Sequence, residues 1–257
     1  MAALLLSALS AATPPNVLVT GASGGTGVLL YHQLKADSRV GSVSALVHGD
    51  GDDKSKAKAA RALGCTACNA SDGVFFGDVT EPATLDAAMK GVNTLAIAVG
   101  SPFTANKTLQ KAIEFTGVEN QVAALAASDG ALSEKRVIFC SSMATTNPHP
   151  SPFEGGPVLF WKLNAEAFLG SAGIGNTIVK PCGIEGTYGR GGKELTVGHD
   201  DALRIAGAIS RADLAAVMVE AVVQRPTQLR FDLCVGDGPP TTDLSALLKT
   251  AQWPWGK

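Results

Sequence analysis

The chain has 257 residues, 46% of them apolar and 17% charged, with a formal net charge of −2. That apolar share is ample for a sizeable buried core, and a near-neutral chain carries no global positive field for a nucleic-acid backbone, so nucleic acid is not an expected partner. Five cysteines, an odd number in a chain too long to need disulfide staples, read as thiols in a reducing compartment.

Residues 1–12 hold a short apolar stretch followed by small residues. Without a basic n-region it reads as a leader over residues 1–14, with a cleavable targeting segment as the alternative. No apolar run approaches membrane length. From there short apolar runs alternate with helical segments, the pattern of a doubly wound parallel α/β sheet. Strands are expected at Asn16–Thr20, Val43–His48, Val74–Gly77, Thr94–Val99, Arg136–Cys140, Asn176–Val179 and Phe231–Val235. Helices are expected over Val28–Lys35, Ser55–Leu63, Ala83–Met89, Glu119–Ala127 and Phe160–Ser171, with a Pro/Gly loop over residues 147–157. No repeat or linker divides residues 15–257, which read as one Rossmann-type domain with a small C-terminal substrate-side region.

The first strand runs directly into Gly21-Ala-Ser23-Gly24-Gly25-Thr26-Gly27. Glycines spaced G-x-x-G-x-x-G at the first strand-to-helix junction allow a tight turn, backbone approach to a pyrophosphate, and close helix–strand packing. The helix that opens there aims unpaired N–H groups at the phosphates. A nicotinamide dinucleotide is the expected ligand.

This turn resembles that of the short-chain dehydrogenase/reductases, specifically their atypical, NmrA-like branch. Further segments carry the resemblance along the chain: Gly77-Asp78-Val79, Gly91-Val-Asn-Thr-Leu95, Phe139-Cys-Ser-Ser-Met143, Trp161-Lys162 with Ala165-Glu166, Lys180-Pro-Cys-Gly183, and Ile209-Ser-Arg-Ala-Asp213-Leu-Ala215. The Gly191-Gly-Lys-Glu-Leu195 region is similar to small plant and algal NAD(P)-binding proteins of this branch. The resemblance implies that Asp78 and Val79 meet the adenine. It also places Ala98, Val99, Pro181 and Gly183 along the cofactor, and Lys162 at the nicotinamide ribose.

NADP is the favoured cofactor and NAD the alternative. The second strand ends at Val47-His48-Gly49 without the carboxylate that would hold a ribose 2′-OH. Relatives that use NADP carry arginine at the places of His48 and Gly25, and both arginines are absent. His48 can still donate to a 2′-phosphate, and Lys54 is close by in sequence.

Reductases of the wider superfamily use a Ser/Tyr/Lys set in which tyrosine protonates the carbonyl oxygen and serine bonds the developing alkoxide. Ser141, Ser142 and Lys162 stand at the catalytic places, but Val158 occupies that of the tyrosine. Tyr31 and Lys35 form a Tyr-x-x-x-Lys on the wrong helix, and Tyr188 lies in a glycine-rich loop. Two readings stay open. One is an oxidoreductase passing hydride to a small, quinone-like acceptor that needs no protein acid; the other is a non-catalytic dinucleotide sensor or docking protein.

Cys65-Thr-Ala-Cys68 reads as two loop or core thiols, with a regulatory pair as the alternative. His32 and His149 lack partners at metal-ligand spacing, so no metal is expected. Trp253 and Trp255 read as packing or self-association residues, and a homo-oligomer is compatible with them. Cytoplasm or plastid is the expected compartment.

Overall fold

Short β-branched and apolar runs, most of them closed by glycine, proline or aspartate, form the strands of this protein. The computed structural model describes residues 13–102, 104–146, 157–186 and 189–252. The expectations for residues 1–12, His149, Tyr188, Trp253 and Trp255 lie outside them.

The strands are β1 (Asn16–Thr20), β2 (Ser42–His48), β3 (Val74–Gly77), β4 (Thr94–Ile97), β5 (Arg136–Cys140), β6 (Gly175–Pro181), β7 (Ile184–Glu185), β8 (Leu195–Gly198), β9 (Ile209–Ser210) and β10 (Gln228–Val235). The helices are α1 (Gly25–Ala36), α2 (Asp53–Leu63), α3 (Asp86–Met89), α4 (Lys107–Lys111), α5 (Gly117–Ala127), α6 (Pro157–Ser171), α7 (Arg211–Gln224) and α8 (Leu244–Thr250). A π-helical turn over Ala112–Thr116 joins α4 to α5.

Eight strands form one sheet in the order β3-β2-β1-β4-β5-β6-β10-β8. All neighbours are parallel except β8, which runs antiparallel to β10. This is the doubly wound Rossmann architecture, with the order reversing between β1 and β4. Alternation along β1 feeds two cores. Val17 and Val19 pack with α1, α2, α7 and α8 on one face, and Leu18 packs with α3, α5 and α6 on the other. Short β7 and β9 pair separately, beyond the end of β6. Among the described residues no helix is long and apolar enough to cross a membrane.

The expectation of free thiols is corrected. Cys65 is bonded to Cys68 and Cys182 to Cys234, leaving Cys140 as the free cysteine among the described residues. Sequence spacing could not reveal the second bridge, because its partners are 52 residues apart and meet only where β10 pairs with β6. The polar α4 and the two- to four-residue strands β7, β8 and β9 were also absent from the expected elements. The segment opening at Ser210-Arg-Ala-Asp213, read from the sequence only as part of the resemblance, starts a helix buried over most of its length.

Candidate functional site

The site is built where β1 gives way to α1. Gly21 has φ +72°, and a Cβ there would lie 2.6 Å from the Ala98 carbonyl oxygen, so glycine is needed for both the turn and the approach of the chain after β4. Gly24 N–H donates to the Gly21 carbonyl at 2.9 Å. Gly27 is buried, and a Cβ on it would come within 2.1 Å of that same carbonyl oxygen, so it serves the close packing of helix on turn. Helices α2, α4, α7 and α8 are each capped by a side chain, from Asp52, Asn106, Ser210 and Asp243. The N-terminus of α1 has no side-chain cap and no acidic residue in its first turn. Its N–H groups and the positive end of its dipole are left for an anion.

A cavity of about 560 Å³ opens over this turn. It is lined by Gly21, Ser23, Gly24, Gly25 and Thr26 from the turn, His48 from β2, and Gly77, Asp78 and Val79 from the end of β3. Ala98, Val99 and Gly100 follow from β4, and Ile113, Ile184 and Arg211 close it. Most residues expected at a cofactor therefore converge on one cleft at the carboxyl ends of the strands. Gly27 is behind the turn, and Pro181, Gly183, Ser141, Ser142 and Lys162 are outside the lining of this cavity.

At the end of the cavity formed by β2 and β3, Asp78 Oδ1 accepts from the Thr80 N–H and hydroxyl, both at 2.8 Å, and Oδ2 is 3.1 Å from His48 Nε2. Burial works against the Asp78 carboxylate, but these bonds outweigh it and hold its pKa below the ordinary aspartate value. Asn120 donates to the Val79 carbonyl at 2.9 Å, and Gly117 lets α5 come close, since a Cβ there would be 2.8 Å from Val79. A second cavity beside the first is lined by basic His48, Lys54, Lys58 and Arg61 together with the carboxylates of Asp50, Asp52 and Asp78.

Deeper in, the expected catalytic residues are knitted into a buried network. Lys162 Nζ pairs with Glu114 Oε2 at 3.0 Å and is 3.4 Å from the Cys140 carbonyl. Glu114 Oε1 accepts from the Ser101 N–H at 2.6 Å and its hydroxyl at 2.7 Å. Burial disfavours the Lys162 ammonium, yet the Glu114 carboxylate outweighs it and raises the lysine pKa. Likewise burial alone would raise the Glu114 pKa, and the Lys162 charge with the Ser101 bonds brings it below the ordinary value. The pair is ionised, so Lys162 provides a fixed positive charge rather than a base.

Ser141 donates its hydroxyl proton to Glu166, whose other oxygen is 2.8 Å from Arg230 Nε. Ser141, expected at a catalytic place, thus directs its hydroxyl at a carboxylate. Ser142, half-buried, has no hydrogen-bond partner among the described residues. Tyr31, on the buried face of α1, is 4% exposed, has its pKa raised by burial, and does not line the cavity. Glu114 and Arg211 were missed as site residues. Glu114 belongs to the π-helical turn, a feature common at functional sites, in a stretch for which no element was expected.

Comparison with known proteins agrees with this geometry. Residues 21–225 match the model of a family described as NAD(P)H-binding. An uncharacterized chloroplastic protein of Arabidopsis thaliana is 32% identical over 94% of this chain and 77% of its own length. Sanguinarine reductase of Eschscholzia californica is 28% identical over 93% of this chain and 97% of its own. Among solved structures, a protein from Bacillus halodurans described as an NAD-dependent epimerase/dehydratase superposes with a TM-score of 0.65 at 19% identity. It covers 92% of this chain and 99% of that one. Glycine turn, uncapped helix, sheet order and family match converge: the chain belongs to the NAD(P)H-binding family of Rossmann-fold proteins, as an atypical, NmrA-like short-chain dehydrogenase/reductase.

Proposed function

We propose that the protein is an NADPH-dependent reductase passing hydride to a small acceptor whose reduced anion is delocalised, as in a quinone. The reading is supported by a cleft over the glycine turn that most of the residues expected at a dinucleotide line, and by Val158 standing where the resemblance expects the proton-donating tyrosine. A delocalised anion takes its proton from solvent, so such an acceptor dispenses with a protein acid. The kinship with a protein named sanguinarine reductase supports reductase chemistry.

The bound nicotinamide would supply the hydride. Of this chain's residues, Ser23, Gly24 and Thr26 would hold phosphates, Asp78 and Val79 the adenine, and Lys162, fixed by Glu114, the nicotinamide ribose. Ser142 supplies a hydroxyl for the acceptor. The preference for NADPH rests on His48 and Lys58 facing the cleft where no carboxylate closes β2, with Lys54 and Arg61 alongside. Residues 15–257 would act as one dinucleotide-binding domain. The chloroplastic relative favours a plastid over the cytoplasm.

Calorimetric titration with NADPH, NADP⁺, NADH and NAD⁺ tests the cofactor, with the two phosphorylated forms expected to bind most tightly. Loss of NADPH absorbance in the presence of a quinone panel tests the chemistry. Tight NADPH binding without turnover of any acceptor would favour a second reading, a dinucleotide sensor, for which the commitment of the Ser141 proton to Glu166 already speaks.

A further inference from the structure

Gly25 stands in this turn where NADP-using relatives of the resembled branch often carry an arginine. The space is not empty. A Cβ built on Gly25 would come 2.8 Å from Arg211 Nε and 3.1 Å from its Cδ, so a side chain at 25 would push the Arg211 side chain out of its observed position. Arg211 arrives from the opposite wall of the cleft, as the first residue of α7, and its guanidinium reaches on to Gly186, with Nη1 3.4 Å from a Cβ built there. It lines the same cavity as Ser23, Gly24 and Thr26.

Arg211 is half-buried and has no hydrogen-bond or ion-pair partner among the described residues. The other half-buried arginines all spend their guanidinium groups. Arg136 donates to the carbonyls of Ser133, Lys135 and Arg225, Arg225 to Thr94 and the Glu134 carbonyl, and Arg230 to Glu166 and Asp200. A guanidinium stays charged at any physiological pH, and its partial desolvation without a partner is costly. Its backbone is nonetheless held firmly. Ser210 and Asp213 cap α7 reciprocally, and Gln33 of α1 donates to the Ala212 carbonyl at 3.1 Å. An unpaired guanidinium carried on a firmly held backbone beside the uncapped N-terminus of α1 suits a phosphoryl oxyanion.

We propose that Arg211 is the phosphate clamp of the cleft, reaching the ligand from α7 through the space that Gly25 leaves open. The proposal rests on the dinucleotide reading above. The phosphoryl group is either the pyrophosphate, shared by NADH and NADPH, or the 2′-phosphate, carried by NADPH alone.

The test titrates wild type, Arg211→Gln and Arg211→Lys calorimetrically with NADPH and NADH, with thermal melts as the control for folding. Arg211→Gln should lower NADPH affinity by about ten- to a hundredfold, the effect of losing a charge-assisted, bidentate contact, and Arg211→Lys by less. An equal loss for NADH assigns the pyrophosphate, and an unchanged NADH affinity assigns the 2′-phosphate. A folded Arg211→Gln protein that binds both as wild type does overturns the clamp while leaving the cofactor reading intact. A wild-type chain that binds neither overturns both. Independently of any variant, phenylglyoxal should modify Arg211 in the free wild-type protein and be blocked by saturating NADPH. Modification undiminished by the bound cofactor would also overturn the proposal.

Discussion

Glu114 and Lys162 show how one buried ion pair can set the chemistry available to a site. Removing one partner of such a pair leaves a buried charge uncompensated, at a cost of about 3–5 kcal/mol. Glu114→Gln should therefore lower unfolding stability by about that amount, measured in urea. The signs with pH are opposite for the two partners. Glu114, with its pKa depressed in the fold, contributes stability above the ordinary glutamate value that is lost as pH falls through its folded value. Lys162, with its pKa raised, contributes stability below the ordinary lysine value that is lost as pH rises through its folded value. Stability from the pair is thus full across neutral pH and fades at both extremes. A Glu114→Gln variant should show a shallower acid-side loss than wild type in melts followed against pH.

At the level of elements, the junction of β1 and α1 is the most tightly specified. Gly27→Ala would drive a methyl group into the Gly21 carbonyl and force α1 off the turn. We expect a loss of about 1–3 kcal/mol in stability, the usual cost of overpacking, together with weakened NADPH binding by calorimetry. This junction was legible in the sequence because its glycines answer to local backbone geometry. β1, β3 and β5 were likewise expected at their observed bounds, since each is an unbroken apolar run closed by turn residues. The rest depended on distant partners. β8 is four residues long and is a strand only because β10 lies beside it. α4 is polar and follows no apolar period. Glu114 acquires its meaning from Lys162, 48 positions away on another helix, and Arg211 from a side chain that Gly25 does not have. Spacing along the chain carries no trace of such pairings.

Across the whole molecule, the two halves of the sheet differ in how they are held. The half around β1, β2 and β3 is closed by apolar packing against α1 and α2. The other half is tied by charge as well. Lys180, fully buried, is 3.0 Å from Asp201 and 3.3 Å from Asp232, and Asp201 also accepts from the Ala144 and Thr146 N–H groups after β5. Burial raises the pKa of Asp232, whereas the Thr146, Lys180 and Ala144 bonds overcome burial to lower that of Asp201. A chain ending at residue 224 would lose β10 and with it a carboxylate of this cluster and the neighbour of both β6 and β8. It should lack a cooperative thermal transition by circular dichroism, even though every residue of the glycine turn remains.

The insertion of β10 between β6 and β8 also bears on how the protein is made. On the ribosome, β6 and β8 are both synthesised before the strand that must enter between them. Until residues 228–235 clear the exit tunnel, Lys180 has no Asp232, Cys182 has no Cys234, and β8 has no strand beside it. The glycine turn can therefore be complete on a nascent chain whose distal sheet is still open, and closure of that sheet waits until β10 has emerged.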